Sequence, residues 1–202
     1  LDVLPFVWRD KPRALIGGLN MASILASRGC QFNCSFCSIR QFYGALQGKL
    51  RRTRSPRNVA DEMEALYRFN QVRFFSFQDD DFAVRSPSQK EWIGHFLKEL
   101  QNRGLSEKIK WKISCRVDDV EEALFRRMVD HGLFAVYLGV ESGNEQGLKT
   151  LNKQTTVLKN IEAIDTVKRL SIPLSMGFML FDPSSTTGTV EENIDFLSRA
   201  GS

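Results

Sequence analysis

Cysteine, histidine, long apolar runs and a dominant charge are all scarce in this sequence. Four cysteines among 202 residues are too few for the disulfide framework of a domain this size. The longest apolar runs, such as Phe134 to Val140, fall far short of the roughly 20 residues that cross a bilayer. The N-terminus shows no basic and apolar leader pattern, so a cytoplasmic protein with no membrane partner is expected. With 28 basic and 24 acidic side chains the net charge is +4, too small to identify a polyanionic partner. Nucleic acid stays open only through a local basic run, Lys49, Arg51, Arg52, Arg54 and Arg57, for which a solvated loop is the ordinary reading.

What is present suits a soluble globular domain, with 42% hydrophobic and 26% charged residues. Residues 1–20 carry two prolines and a Gly-Gly pair without an apolar period and read as a linker or lead-in from an upstream domain. From Met21 to Ser202, short apolar runs alternate with segments of helical period, the pattern of βα units on a parallel sheet. Strands are expected at Ala22 to Ser27, Val72 to Phe77, Ile109 to Cys115, Ala135 to Val140 and Leu174 to Leu180. Helices are expected around Val59, Met63, Leu66 and Tyr67, then from Ser88 with Glu91 at capping-box spacing, from Glu121 to His131 with Gly132 as the stop, around Val157, Ile161 and Ile164, and from Thr189 with Glu192. The fold class is α/β, a partial parallel (β/α) barrel that stops after about five βα units. Such a sheet leaves its last strand uncovered, so an excised fragment is expected.

Three cysteines, Cys30, Cys34 and Cys37, fall at C-x3-C-x2-C directly after the first strand. Three thiolates on a 4Fe-4S cube leave one iron free for a small molecule, as catalytic metal sites keep a position open. A structural zinc site is the competing reading, but Cys115, His95 and His131 lack the short paired spacing that would supply a fourth ligand. In a parallel barrel the βα loops open on one face, at the strands' C-terminal ends. Each later strand delivers charge there: Asp79, Asp80 and Asp81 after the second, Arg116 and Asp118 after the third, Glu141 after the fourth and Asp182 after the fifth. Ionised carboxylates suit a ligand with positive charge or hydrogen-bond donors, and Arg116 could pair with a carboxylate. Each also has a plainer reading: Asp79 to Asp81 as a turn, Glu141 as a cap, Arg116 as a partner of Asp118 or Asp119, and Met179 as core.

The cysteine spacing, with Phe36 just before the last cysteine, resembles the signature of the radical S-adenosylmethionine superfamily. That resemblance covers nearly the whole chain and implies a partial barrel of that type, a 4Fe-4S cluster on Cys30, Cys34 and Cys37, and reductive cleavage of S-adenosylmethionine to a 5′-deoxyadenosyl radical. F-x-D-D-x-F at Phe77 to Phe82 stands where the family binds the methionine amino group, which implies Asp79 or Asp80. GVESGNEQGLKTLNK, Gly139 to Lys153, resembles the cobalamin-associated branch, where Glu141 would contact ribose. GFMLFDP resembles the motif near adenine, implying Met179 there, although Phe181-Asp182-Pro183 replaces the usual Gly-Leu-Pro. The lead-in LDVLPFVWRD and the segments CSIRQFYG and RRTRSP resemble the same branch. The resemblance therefore implies a cobalamin-associated methyltransferase or related radical enzyme, with cobalamin bound through a domain absent from this chain. The partners implied are an electron donor such as flavodoxin or ferredoxin and a small-molecule or peptide substrate. Alternatives are a radical methylthiotransferase or other radical enzyme without cobalamin and, in another class, a zinc-stabilised binding module.

Overall fold

The computed structural model describes residues 1–9, 15–45 and 47–201. Residues 10–14 of the expected lead-in, Leu46, and Ser202 at the expected break lie outside the described residues. In chain order the strands are β1 (Leu15–Ile16), β2 (Leu19–Ile24), β3 (Ser27–Arg28), β4 (Arg52–Thr53), β5 (Phe74–Phe77), β6 (Lys110–Arg116), β7 (Leu133–Glu141) and β8 (Leu174–Phe178). The helices are α1 (Ile39–Gly44), α2 (Pro56–Phe69), α3 (Pro87–Asn102), α4 (Glu122–Asp130), α5 (Glu145–Thr150), α6 (Val157–Arg169) and α7 (Thr187–Gly201). Strands β2, β5, β6, β7 and β8 are parallel neighbours in that order, with β1 antiparallel outside β2. Strand and helix alternate through the parallel part, giving the curled partial β/α barrel expected from the sequence.

The core lies between the sheet and its helices. Phe75 and Phe77 of β5, Trp111 and Ile113 of β6, and Val136 and Leu138 of β7 are almost wholly buried. Alternate residues point to the opposite, concave face; Lys112 and Ser114 there are half-buried, and Tyr137 is 44% exposed. Phe77, Phe82, Phe96 and Trp111 form one aromatic cluster with ring centroids 4.8 to 6.4 Å apart. The indole N–H of Trp111 donates to the His131 carbonyl at 2.8 Å, so its polar end is satisfied.

Side-chain capping places the helix starts. Ser55 and Ser86 each precede a proline at the first helical position and accept from Asn58 N and Gln89 N. Proline there has its φ preset and gives up an N–H that would have no partner anyway. The α3 cap is therefore Ser86 and not Ser88, because Pro87 opens the helix. Likewise α7 starts at Thr187: the Thr186 hydroxyl accepts from Thr189 N at 3.3 Å and the Thr189 hydroxyl from Thr186 N at 2.9 Å. That reciprocal pair takes the place of the box expected between Thr189 and Glu192.

Two other boundaries move for local reasons. Strand β2 ends at Ile24 because the Ala26 N–H is taken by the Asp79 carboxylate at 3.0 Å, which breaks the ladder before Ser27. Within the lead-in, Gly17 and Gly18 (φ +54° and +79°) make a two-residue turn joining β1 to β2; positive φ at both central positions is what such a hairpin turn needs. Arg9 fastens the preceding segment, donating to Glu62 Oε1 at 2.7 Å and to the Ser23 carbonyl at 2.6 Å. The basic run divides. Arg51 bonds Gln89, Ser27 and the Asp81 carbonyl, and Arg54 bonds Glu62, Asn58 and the Leu25 carbonyl, whereas Lys49, Arg52 and Arg57 are exposed.

Candidate functional site

The cysteine loop follows β2 and β3 at the C-terminal rim of the sheet. Two consecutive carboxylates at the end of β5 fasten its start. Asp79 is buried; its Oδ2 accepts from Ala26 N at 3.0 Å and its Oδ1 from the Ser27 hydroxyl at 2.6 Å. Asp80 is exposed, and its Oδ2 accepts from Gly29 N at 2.7 Å. Gly29 has φ +87°, and a Cβ there would lie 1.9 Å from the Leu50 carbonyl oxygen, so the chain can turn into Cys30 only at glycine.

The far end of the loop is tied to the segment after α5. Ser35 N donates to the Leu151 carbonyl at 3.0 Å, the Ser35 hydroxyl to the Thr150 carbonyl at 2.9 Å, and the Asn152 amide to the Asn33 carbonyl at 2.6 Å. Between these anchors Cys30, Cys34 and Cys37 are free thiols, Cys34 buried and the other two half-buried. Burial holds the Cys30 thiol above its usual range, with nearby Asp81 adding to the effect. Phe36 is 46% exposed on the same loop.

Arg116, at the end of β6, links the loop to the rest of the rim. Its Nη1 lies 3.5 Å from Cys34 Sγ, its Nη2 donates to Asp118 Oδ2 at 2.9 Å and to the Lys153 carbonyl, and its guanidinium carbon sits 3.8 Å from the centroid of the Phe32 ring. The plainer expectation for Arg116, pairing with Asp118, is therefore met, and both of its terminal nitrogens are engaged inside the protein. Asp118 Oδ1 in turn accepts from Thr155 at 2.7 Å.

Opposite, at the end of β7, Glu141 stands in the left-handed region with φ +67°, a conformation that costs a residue with a side chain and persists where its surroundings impose it. Its Oε1 meets Lys153 Nζ at 3.0 Å, and its carbonyl accepts from Met179 N at 2.8 Å, which brings the half-buried Met179 alongside. A side chain at Gly139 would lie 2.8 Å from both Glu141 Oε1 and Lys153 Nζ, so this glycine clears the space for the pair. Asn193 and Asn160 fix the turn behind Glu141. Asn193 Oδ1 accepts from Gly143 N at 2.7 Å, and the Asn160 amide donates to the Val140 and Ser142 carbonyls at 3.2 and 2.9 Å.

Beneath the loop lie carboxyl groups that burial keeps protonated more readily than usual. Asp79 is pushed up to about 6, partly offset by its bonds from Ser27 and Ala26. Asp119 is likewise pushed up to about 6 by burial, and Asp81 is held well above the carboxylate range by burial and then by Asp119. Cys115 is fully buried with its thiol pushed far up, and among the described residues no three His, Cys, Asp or Glu side chains gather around one point for a single metal ion. His95 is exposed and the His131 ring bonds the Arg127 carbonyl, so neither supplies a fourth zinc ligand.

The site residues singled out in the sequence lie on one rim. Lys153, Asn160, Asn193 and Asp119 were not among them. Lys153 lies within the segment beginning at Gly139 but 12 positions from Glu141, and only the return of the chain after α5 brings the two together.

A model of the Radical SAM superfamily matches residues 24–197. Over 177 residues the chain is 34% identical to the anaerobic magnesium-protoporphyrin IX monomethyl ester cyclase of Cereibacter sphaeroides, covering 87% of this chain and 28% of that protein. Over 199 residues it is 31% identical to an uncharacterized methyltransferase of Pyrococcus horikoshii, covering 98% of this chain and 40% of the relative. The solved structure of the cobalamin-dependent S-adenosylmethionine radical enzyme OxsB, with aqua-cobalamin and S-adenosylmethionine bound, matches with a TM-score of 0.75 at 28% identity, over 87% of this chain and 26% of that one. The chain thus spans well under half the length of each of these proteins.

Proposed function

Because the chain belongs to the radical S-adenosylmethionine superfamily, whose members are enzymes, we propose that Cys30, Cys34 and Cys37 ligate a 4Fe-4S cluster that binds and cleaves S-adenosylmethionine. The observation that carries this reading is a loop of three free thiols, anchored at both ends, with a cation beside Cys34. The donor set fits the group: thiolates are the ligands iron–sulfur clusters take, and three of them leave one iron open. When bound, the cluster supplies one electron to the sulfonium of S-adenosylmethionine, giving methionine and a 5′-deoxyadenosyl radical that removes a hydrogen atom from the substrate.

The protein groups divide the remaining work. Asp80 is exposed and its Oδ1 has no partner among the described residues, so it takes the methionine ammonium, whereas Asp79 holds the loop with both oxygens. Lys153 faces the ligand carboxylate and Glu141 the ribose hydroxyls, in keeping with their paired position at the rim. Arg116 acts as a positioning residue, steadying the Cys34 thiolate and the Lys153 backbone. Met179 and Phe36 offer apolar surface for adenine. For the whole protein we infer a cobalamin-dependent methyltransferase or related radical enzyme, with cobalamin on a further domain; the OxsB likeness supports this. The substrate would be a small molecule or peptide.

Anaerobic reconstitution with iron and sulfide tests the reading. Broad visible absorption and 5′-deoxyadenosine on adding dithionite are expected, and each of Cys30→Ala, Cys34→Ala and Cys37→Ala should abolish both while far-ultraviolet circular dichroism stays unchanged. Full cleavage by all three variants would disprove the ligand assignment.

A further inference from the structure

We propose that the exposed basic face formed by β3, β4 and α1 beside the cysteine loop is the docking surface for an acidic one-electron carrier protein. The proposal rests on the cluster reading above. Between residues 27 and 60 the sequence has seven basic side chains and not one Asp or Glu, so the rest of the chain, with 21 basic and 24 acidic side chains, is net negative. Charge is therefore segregated around one loop.

The structure turns two of the seven inward, Arg51 and Arg54, leaves Arg40 half-buried on the Gln31 carbonyl, and leaves Arg28, Lys49, Arg52 and Arg57 exposed. The carboxylates that reach this segment, Asp2, Asp79, Asp80 and Glu62, bond its backbone, the Ser27 hydroxyl or Arg54, and among the described residues none pairs with those four cations. Arg28 and Arg52 stand directly opposite each other in the β3–β4 ladder. Like charges in that position lower stability, and no carboxylate among the described residues offsets them. A surface that needed only to be solvated would gain nothing from this pairing, whereas one that receives an acidic partner would.

Apolar surface adjoins Arg52. Phe42 on α1 is 66% exposed, and Arg52 lies over the neighbouring Tyr43 ring at 5.8 Å. Aromatic and arginine side chains are enriched in docking surfaces. The patch also adjoins the thiols: β3 ends two residues before Cys30, and Leu50 packs against Gly29. In the transfer itself the carrier loses one electron and the cluster gains it, with no bond made or broken.

The test compares two reductants in the reconstituted enzyme, dithionite and a photoreduced acidic flavodoxin, with 5′-deoxyadenosine as the readout. In Arg52→Glu and in Lys49→Glu/Arg52→Glu, the dithionite-driven rate should match wild type. The flavodoxin-driven kcat/KM should fall about tenfold or more and lose its dependence on ionic strength, as steered association does when the charge is removed. Arg52→Glu should melt no lower than wild type, because the introduced carboxylate would face Arg28, so a slower flavodoxin reaction cannot be put down to misfolding. An unchanged flavodoxin-driven rate would overturn the docking surface, as would binding of a short RNA that these variants lose while the flavodoxin reaction persists. If wild type made no 5′-deoxyadenosine even with dithionite, the cluster reading would fall and the surface with it.

Discussion

Lys153 and Glu141 hold each other at the rim, 4% and 14% exposed at their side chains. Removing one partner of a largely buried pair strands the other, at a cost of about 3 kcal/mol. Lys153→Met should therefore lower stability in urea and also weaken S-adenosylmethionine binding. Lys153→Met/Glu141→Gln should recover most of the stability but not the binding, which equilibrium dialysis would show. Asp79 gives a pH test. Its carboxyl rises from 3.8 unfolded to about 6 in the fold, so its contribution is fully present below about pH 4 and is lost as pH rises through about 6. Asn at this position keeps an acceptor for Ala26 N, and its amide would donate to the Ser27 hydroxyl in place of accepting from it. In the metal-free chain, the stability of wild type relative to Asp79→Asn should fall by roughly 3 kcal/mol between about pH 4 and pH 7. Equilibrium unfolding across that range checks the sign.

Among the elements, Ser55→Ala and Ser86→Ala each remove a helix cap and should cost about 1 kcal/mol, whereas Ser88→Ala should change stability by only a few tenths. Urea melts of the three variants separate the cap that is used from the one that spacing alone suggested. The difference shows what the sequence can convey. The strand centres were legible because aromatic and β-branched runs such as Phe74 to Phe77 suit only a buried sheet. Their ends were not, since β2 stops where Asp79, 53 residues away, takes the Ala26 N–H. The cysteines were legible as a local spacing. Of the three aspartates that follow β5, spacing could not tell that Asp79 clamps the loop, Asp80 stays exposed and Asp81 is buried. Lys153, Asn160 and Asn193 carry no local signature because each acts on a partner at least 12 positions away.

Across the whole molecule, the cluster of Phe77, Phe82, Phe96 and Trp111 joins β5, β6 and α3. Phe96→Ala should cost about 3–5 kcal/mol, lowering the urea midpoint with little change in slope if sheet and helices unfold together. The two anchors of the cysteine loop have a further consequence. One set of bonds joins residues 51 to 53 positions apart, the other residues 115 to 119 apart. Closures of that span cost chain entropy, which the packing of the intervening sheet and helices must offset. The loop is therefore held in this shape only once β2, β5 and the segment after α5 are assembled, and on the proposed ligation that is the state in which iron and sulfur would meet three arranged thiols. Substitutions that slow assembly of the sheet, far from any cysteine, should then yield chains that are soluble but poorly loaded with iron.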